Sequence, residues 1–175
     1  MPMKTDRLLL RPPEAGDSAW IAGEIANPKV HQWLTNPPRP YRLEDAEAWI
    51  TRVGKNPFVQ LVYDEAGPVG VVGISEHLEM LNLGFWLAEA AWGKGYAHEA
   101  THALVAFYFD TETERLTSGW LDGNAGSERV LRKLGFTDIG TRMEYCEYHG
   151  REILAHRVAL DGPQGLQAPP LRAKR

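Results

Sequence analysis

Apolar positions along the chain change period several times, and each change marks an element. "RLLLR" (7–11) is a short apolar run between arginines and predicts a first strand. Residues 14–27 place Trp20, Ile21 and Ile25 at helical spacing behind Asp17, a residue suited to cap a short helix. Residues 27–40 hold four prolines and predict a loop. In 43–54, Leu43, Ala46, Trp49, Ile50 and Val53 repeat at helical intervals until Gly54 stops them.

The period then shortens. Runs 58–64, 69–75 and 81–87 read as three strands, with a turn signal at 66–68 and short links that favour antiparallel neighbours. A glycine turn follows, then a helix over Tyr96–Phe109 whose apolar stripe is Ala97, Ala100, Ala103, Leu104, Phe107 and Tyr108. A strand at 115–121 leads to a helix at 125–135, with Val130, Leu131 and Leu134 on one face and Gly135 as its C-cap. Strands at 136–146 and 152–160 close the pattern. The order is that of a mixed α/β layer domain: one domain over residues 1–161, with a flexible tail from 162 to 175.

Composition narrows the function classes. The net charge of −4 carries no basic excess and argues against nucleic-acid binding. Cys146 is the only cysteine, so no disulfide forms within the chain, and the thiol reads as buried or incidental rather than nucleophilic. No secretory h-region occurs near the start, and no apolar run approaches the ~20 residues of a membrane span. The expectation is a cytoplasmic protein without a membrane or nucleic-acid partner, as a monomer or homodimer.

Two chemistries overlap in "AWGKGYAHEATH" (91–102). Gly93-Lys94-Gly95 can form a tight turn into a helix whose free N–H groups and positive dipole end attract phosphate. It is neither a dinucleotide fingerprint nor a Walker A loop. His98-Glu99-Ala100-Thr101-His102 matches H-E-x-x-H, the pattern of zinc peptidases, but the extended form fails because Val105 and Tyr108 stand where glycine and histidine belong. No metal is expected.

The larger pattern resembles the acetyl-CoA-binding motif of the GNAT N-acetyltransferases, in particular the branch of ribosomal-protein N-terminal acetyltransferases. The residues are Gly84-Phe85-Trp86-Leu87, followed by Trp92-Gly93-Lys94-Gly95-Tyr96-Ala97-His98-Glu99-Ala100. "NAGSERVLRKLGF" (124–136) is similar to a second family block, and "TDRLLLRPPEAGD" (5–17) to the opening strand and its acidic turn. The resemblance covers about residues 5–160 and makes His98 and His102 exposed helix positions.

The resemblance implies a GNAT-like fold, a mostly antiparallel central sheet flanked by helices. It also implies direct acetyl transfer from acetyl-CoA to a primary amine, on a protein N-terminus or a small molecule. It places Phe85, Trp86, Leu87 and Trp92 through Ala97 along the acetyl-CoA, as cofactor-binding residues. Asn124 and Ser127 would flank the cofactor arm, with Ser127 as hydrogen-bond or proton donor to the thiolate. Asn124 is equally explained as a helix cap. Weaker candidates for the acceptor side are His77, Glu79 and Tyr145, and Trp33 as a substrate-contacting aromatic. Arg129, Arg132 and Lys133 are candidates for a cofactor phosphate. Other readings of the same residues are a non-catalytic CoA-binding module and, remotely, the zinc peptidase.

Overall fold

The computed structural model describes residues 2–167. Eight strands form one sheet: β1 (Met3–Lys4), β2 (Leu9–Arg11), β3 (Val59–Asp64), β4 (Gly67–His77), β5 (Met80–Leu87), β6 (Leu116–Leu121), β7 (Thr137–Cys146) and β8 (Arg151–Leu160). Their spatial order is β1-β2-β3-β4-β5-β6-β8-β7. All neighbours run antiparallel except β5 and β6, which are parallel and share one register pair, Asn82↔Thr117. The helices are α1 (Ser18–Ala26), α2 (Pro28–His31), α3 (Leu43–Val53), α4 (Tyr96–Thr111) and α5 (Ala125–Leu134). Among the described residues, no helix is long and apolar enough to cross a membrane.

Strand alternation sends apolar side chains to both faces. Val72, Ile74, Leu83, Leu116 and Val158 pack with Leu104, Tyr108, Leu131 and Leu134 of α4 and α5. Leu61 and Val71 pack on the opposite face with Ile21, Ile25, Ala46 and Ile50 of α1 and α3. A third cluster joins Leu121, Cys146 and Ala155 to Trp33 and Tyr148. Arg11 donates bidentately to Asp17 at 2.8 and 2.9 Å, and Tyr63 donates to the same carboxylate at 2.9 Å, tying β2 and β3 to the start of α1.

Several sequence expectations need correction. The proline-rich segment begins with a helical turn, because Asn27 accepts from Lys29 N at 3.0 Å and Pro28 fits a first helical position. On α4 the buried stripe is Ala100, Thr101, Leu104, Val105 and Tyr108, rotated from the expected one. Thr101 can be buried because its hydroxyl donates to Ala97 O at 2.6 Å. His98 and His102 are half-buried rather than exposed, with ring centroids 6.2 Å apart, and burial pulls both below the ordinary imidazole pKa. Part of the segment expected as a tail from residue 162 is packed onto the fold. Leu166 packs on the core and Gln167 N donates to Leu134 O at 3.0 Å, which ties the segment to the end of α5. Residues 168–175 of that tail lie outside the described residues.

Candidate active site

The parallel pair β5–β6 comes apart as it runs. Below the parting point, the hydroxyls of Thr117 and Ser118 donate to Leu81 O at 3.0 Å and Leu83 O at 2.7 Å. Those carbonyls face β6, whereas Ala88 N turns the other way and donates to Val69 O of β4. Because backbone groups alternate sides along a strand, Phe85 N–H and C=O and Leu87 N–H face the gap beyond Leu83. Leu87 O accepts from Trp92 Nε1 at 2.9 Å, which fixes the approach to the glycine turn. Gly84 borders the same gap, and a Cβ there would meet nothing within 4 Å.

The turn itself is shaped by glycine. Gly93 and Gly95 have φ of 76° and 79°, in the left-handed region that residues with a Cβ rarely adopt. Gly95 is the N-cap of α4 and no side chain caps that end, so the first-turn N–H groups of Tyr96, Ala97 and His98 are free for an anion. By contrast, Asn124 Oδ1 caps α5 by accepting from Ser127 N at 3.2 Å.

Glu99 has a different task from that of a metallopeptidase base. Its carboxylate accepts from Thr5 Oγ1 at 2.6 Å, Arg7 N at 3.0 Å and Arg7 Nε at 2.7 Å. Arg7 also donates to Lys94 O at 2.8 Å, so this network braces the glycine turn against the connection between β1 and β2. Burial opposes ionisation of Glu99, but these hydrogen bonds outweigh it and hold the carboxyl below its ordinary range. Among the described residues, no group of three or more His, Cys, Asp or Glu is arranged to hold a metal ion.

A cleft of about 530 Å³ opens on the α1/α3 side and reaches the gap between β5 and β6. Phe85, Trp86, Asn124 and Ser127 line it, as do His77 and Trp33. Leu87, Trp92 and the glycine turn do not line it; they follow β5 toward α4. Glu79 lies on the exposed tip of the β4–β5 hairpin, outside the cleft. Tyr145 is 55% exposed and is also outside. Arg132 is engaged with Asp138 at 2.9 Å and stacks over Trp120, so it braces α5 against β7. Arg129 and Lys133 are exposed on the same helix.

The sequence reading did not single out Glu144 and Arg157, which form the polar floor of the cleft. Arg157 is buried; its Nη2 donates to Asn82 Oδ1 at 2.9 Å, at the point where β5 and β6 part. Burial draws the Arg157 guanidinium below its ordinary pKa, with Glu144 opposing that shift. Glu144 faces His77 at 3.7 Å, Arg157 at 3.8 Å and Arg142 at 3.9 Å, all beyond hydrogen-bonding distance. Its Oε1 is buried and has no hydrogen-bond partner among the described residues. A carboxylate flanked by two guanidinium groups and an imidazole, with free lone pairs, can accept a proton from a ligand.

Comparison with known proteins places this architecture. A family model described as an acetyltransferase (GNAT) domain matches residues 7–137. An uncharacterised N-acetyltransferase, p20, of Bacillus licheniformis is 25% identical over 167 residues, covering 89% of this chain and 93% of that protein. A ribosomal-protein-S5-alanine acetyltransferase from Vibrio fischeri superposes with a TM-score of 0.77 at 17% identity, over 97% of this chain and 100% of the other. A ribosomal L7/L12 α-N-protein acetyltransferase in complex with coenzyme A gives 0.78 at 19% identity, over 92% and 98%. The matched span runs from Arg7 through the glycine turn to the start of β7, and on that ground the chain belongs to the GNAT acetyltransferases.

Proposed function

We propose that the protein transfers the acetyl group of acetyl-CoA to a primary amine by direct attack, with Glu144 as the proton acceptor. The observation that carries this reading is the cleft joining Glu144, whose Oε1 has no hydrogen-bond partner among the described residues, to an open strand edge at Phe85. Acetyl-CoA supplies an acetyl thioester whose carbonyl carbon accepts the amine and whose sulfur leaves as thiolate. The free N–H groups at the start of α4 suit its pyrophosphate. The edge of β5 at Phe85 and Leu87 suits an extended arm rich in amides, which can add as a strand. A bound molecule running from the first to the second enters the cleft beside Ser127.

An amine attacks only when neutral, and a protein α-amine titrates near 8 while a lysine amine titrates near 10.4. Glu144 takes the proton that the nitrogen loses as the new N–C bond forms and the C–S bond breaks. The Ser127 hydroxyl lines the cleft and has no hydrogen-bond partner among the described residues, so it is free to donate to the departing thiolate. Phe85 N–H is the donor for the thioester carbonyl, where negative charge develops.

The test is twofold. Acetyl-CoA should raise the melting temperature by mass action, and a panel of amines should release free thiol in its presence. Gly93→Val and Gly95→Val should abolish the thermal shift, because a β-branched side chain is incompatible with the left-handed backbone. Unchanged acetyl-CoA affinity in either variant would overturn the phosphate-loop assignment.

A further inference from the structure

We infer that the acceptor is a small monoamine carrying an aromatic-sized apolar body, and that rings in the cleft select it. The inference rests on the acetyl-transfer reading and specifies its acceptor. Above the polar floor, the cleft walls are Trp33, Pro37, Pro38, Tyr41, Trp49 and Trp86. These come from the α2–α3 connection, α3 and β5, so three separate elements bring ring faces to one space. Trp86 is held in place by Trp20, stacked at 5.7 Å and 17°. Burial pushes the Tyr41 phenol up to about 12, so it stays neutral, and its hydroxyl has no hydrogen-bond partner among the described residues. Such walls favour a flat apolar body with a hydrogen-bonding substituent over a charged chain.

The charges argue against a polycation. Two carboxylates line the cleft, Asp45 and Glu144, against the two guanidinium groups of Arg52 and Arg157. Asp45 is already engaged, accepting from Arg42 N at 2.8 Å. A polyamine or an amino sugar with several ammonium groups would meet as many guanidinium groups as carboxylates, and Glu144 already lies between Arg142 and Arg157.

The α2–α3 connection argues against a long peptide passing on its side of the cleft. The segment that carries Trp33, Pro37 and Pro38 is clasped to the β7–β8 turn. Tyr148 lies between His31, at 5.1 Å, and Arg39, whose guanidinium is 4.4 Å from the ring centre. Glu147 N donates to Thr35 O, Arg39 Nη1 donates to Tyr148 O, and His149 Nε2 bonds Gln32 O, each at 3.0 Å. An extended acceptor chain leaving on this side would have to break those bonds.

The experiment uses the full chain and four probes: 2-phenylethylamine, tryptamine, spermidine and an octapeptide with a free N-terminus. The expected result is kcat/KM for the two aryl amines at least about tenfold above spermidine and the peptide, as expected for a ring buried in an apolar site. Trp49→Ala should raise KM for the aryl amines about tenfold and leave the acetyl-CoA thermal shift intact, and Trp49→Phe should restore most of the loss. Trp33→Ala should act in the same direction, which guards against misfolding of one variant. Preference for spermidine or the peptide, or an unchanged aryl-amine KM in both alanine variants, would overturn the inference. Amine binding is also read by melting temperature with and without CoA. Failure of acetyl-CoA to bind would therefore sink the acetyl-transfer reading, while the amine arm still decides the cleft.

Discussion

The Arg157 side chain crosses β6 directly over Gly119. An ideal Cβ at position 119 would sit 2.9 Å from Arg157 Nη1 and closer still to His156 O. Gly119 pairs with Arg157 in the β6–β8 register, and the missing side chain gives the guanidinium its route from β8 to Asn82 on β5. Three strands are thus joined at the place where the sheet opens. Gly119→Ala is expected to destabilise the protein by about 1–3 kcal/mol, the usual cost of forcing atoms into a packed site. It should also lower kcat, because the guanidinium facing Glu144 is displaced. Urea denaturation alongside steady-state kinetics checks both, and wild-type stability in the variant would show that the crossing is not tightly packed.

Glu144→Gln keeps the shape of the floor and removes the proton acceptor. The expected fall in kcat is about 10²–10⁴-fold, the range for a lost general base. The thermal shift with acetyl-CoA should be unchanged, since the start of α4 does not line the cleft that holds Glu144. The loss should shrink at high pH, where the amine arrives already neutral. A variant with wild-type kcat at neutral pH would remove Glu144 from the chemistry.

The sequence carried most of the elements and the glycine turn before α4, because those depend on local rules: period, glycine position and capping. The polar floor depends on contacts between strands far apart in the chain. Tyr145 was singled out and Glu144 was not, although strand parity sends the two to opposite faces. Only the sheet order shows which face meets the cleft. Arg157 sits inside an apolar strand, and its reason for being there is Asn82, 75 positions away. Glu99 illustrates the converse. Its local H-E-x-x-H context suggested zinc, yet its partners are Thr5 and Arg7 in the connection between β1 and β2.

Ser127 and Asn124 are separable by experiment. Asn124 accepts from Ser127 N, so Asn124→Ala removes a helix cap, and a loss of about 1 kcal/mol of stability is expected. Ser127→Ala leaves the cap in place and removes a hydroxyl that lines the cleft. Its kcat should fall more than its KM for acetyl-CoA rises, because charge on sulfur develops only as the bond breaks. Wild-type kcat in Ser127→Ala would leave thiolate departure to water.

The two histidines on α4 should govern the first stage of acid unfolding. Burial holds His98 below the ordinary 6.5, with Lys133 adding to the effect, and burial holds His102 below it, with His98 adding. A depressed folded pKa means that the unfolded chain binds the proton first. Stability from this pair is therefore complete above about pH 6.5 and is lost as pH falls from there through the lower folded values. Asp17 and Glu99 are also depressed, below ordinary values of 3.8 and 4.5. Their contribution is present above those values and disappears as pH falls through the folded ones. Melting temperature should accordingly decline in two stages between pH 8 and pH 3. His98→Gln with His102→Gln should flatten the upper stage and leave the lower one, whereas Glu99→Gln should reduce the lower one. The double variant should retain acetyl transfer at neutral pH, because both rings lie outside the cleft. Stoichiometric zinc in the native protein, lost together with activity in the double variant, would instead assign the histidine pair to a metal.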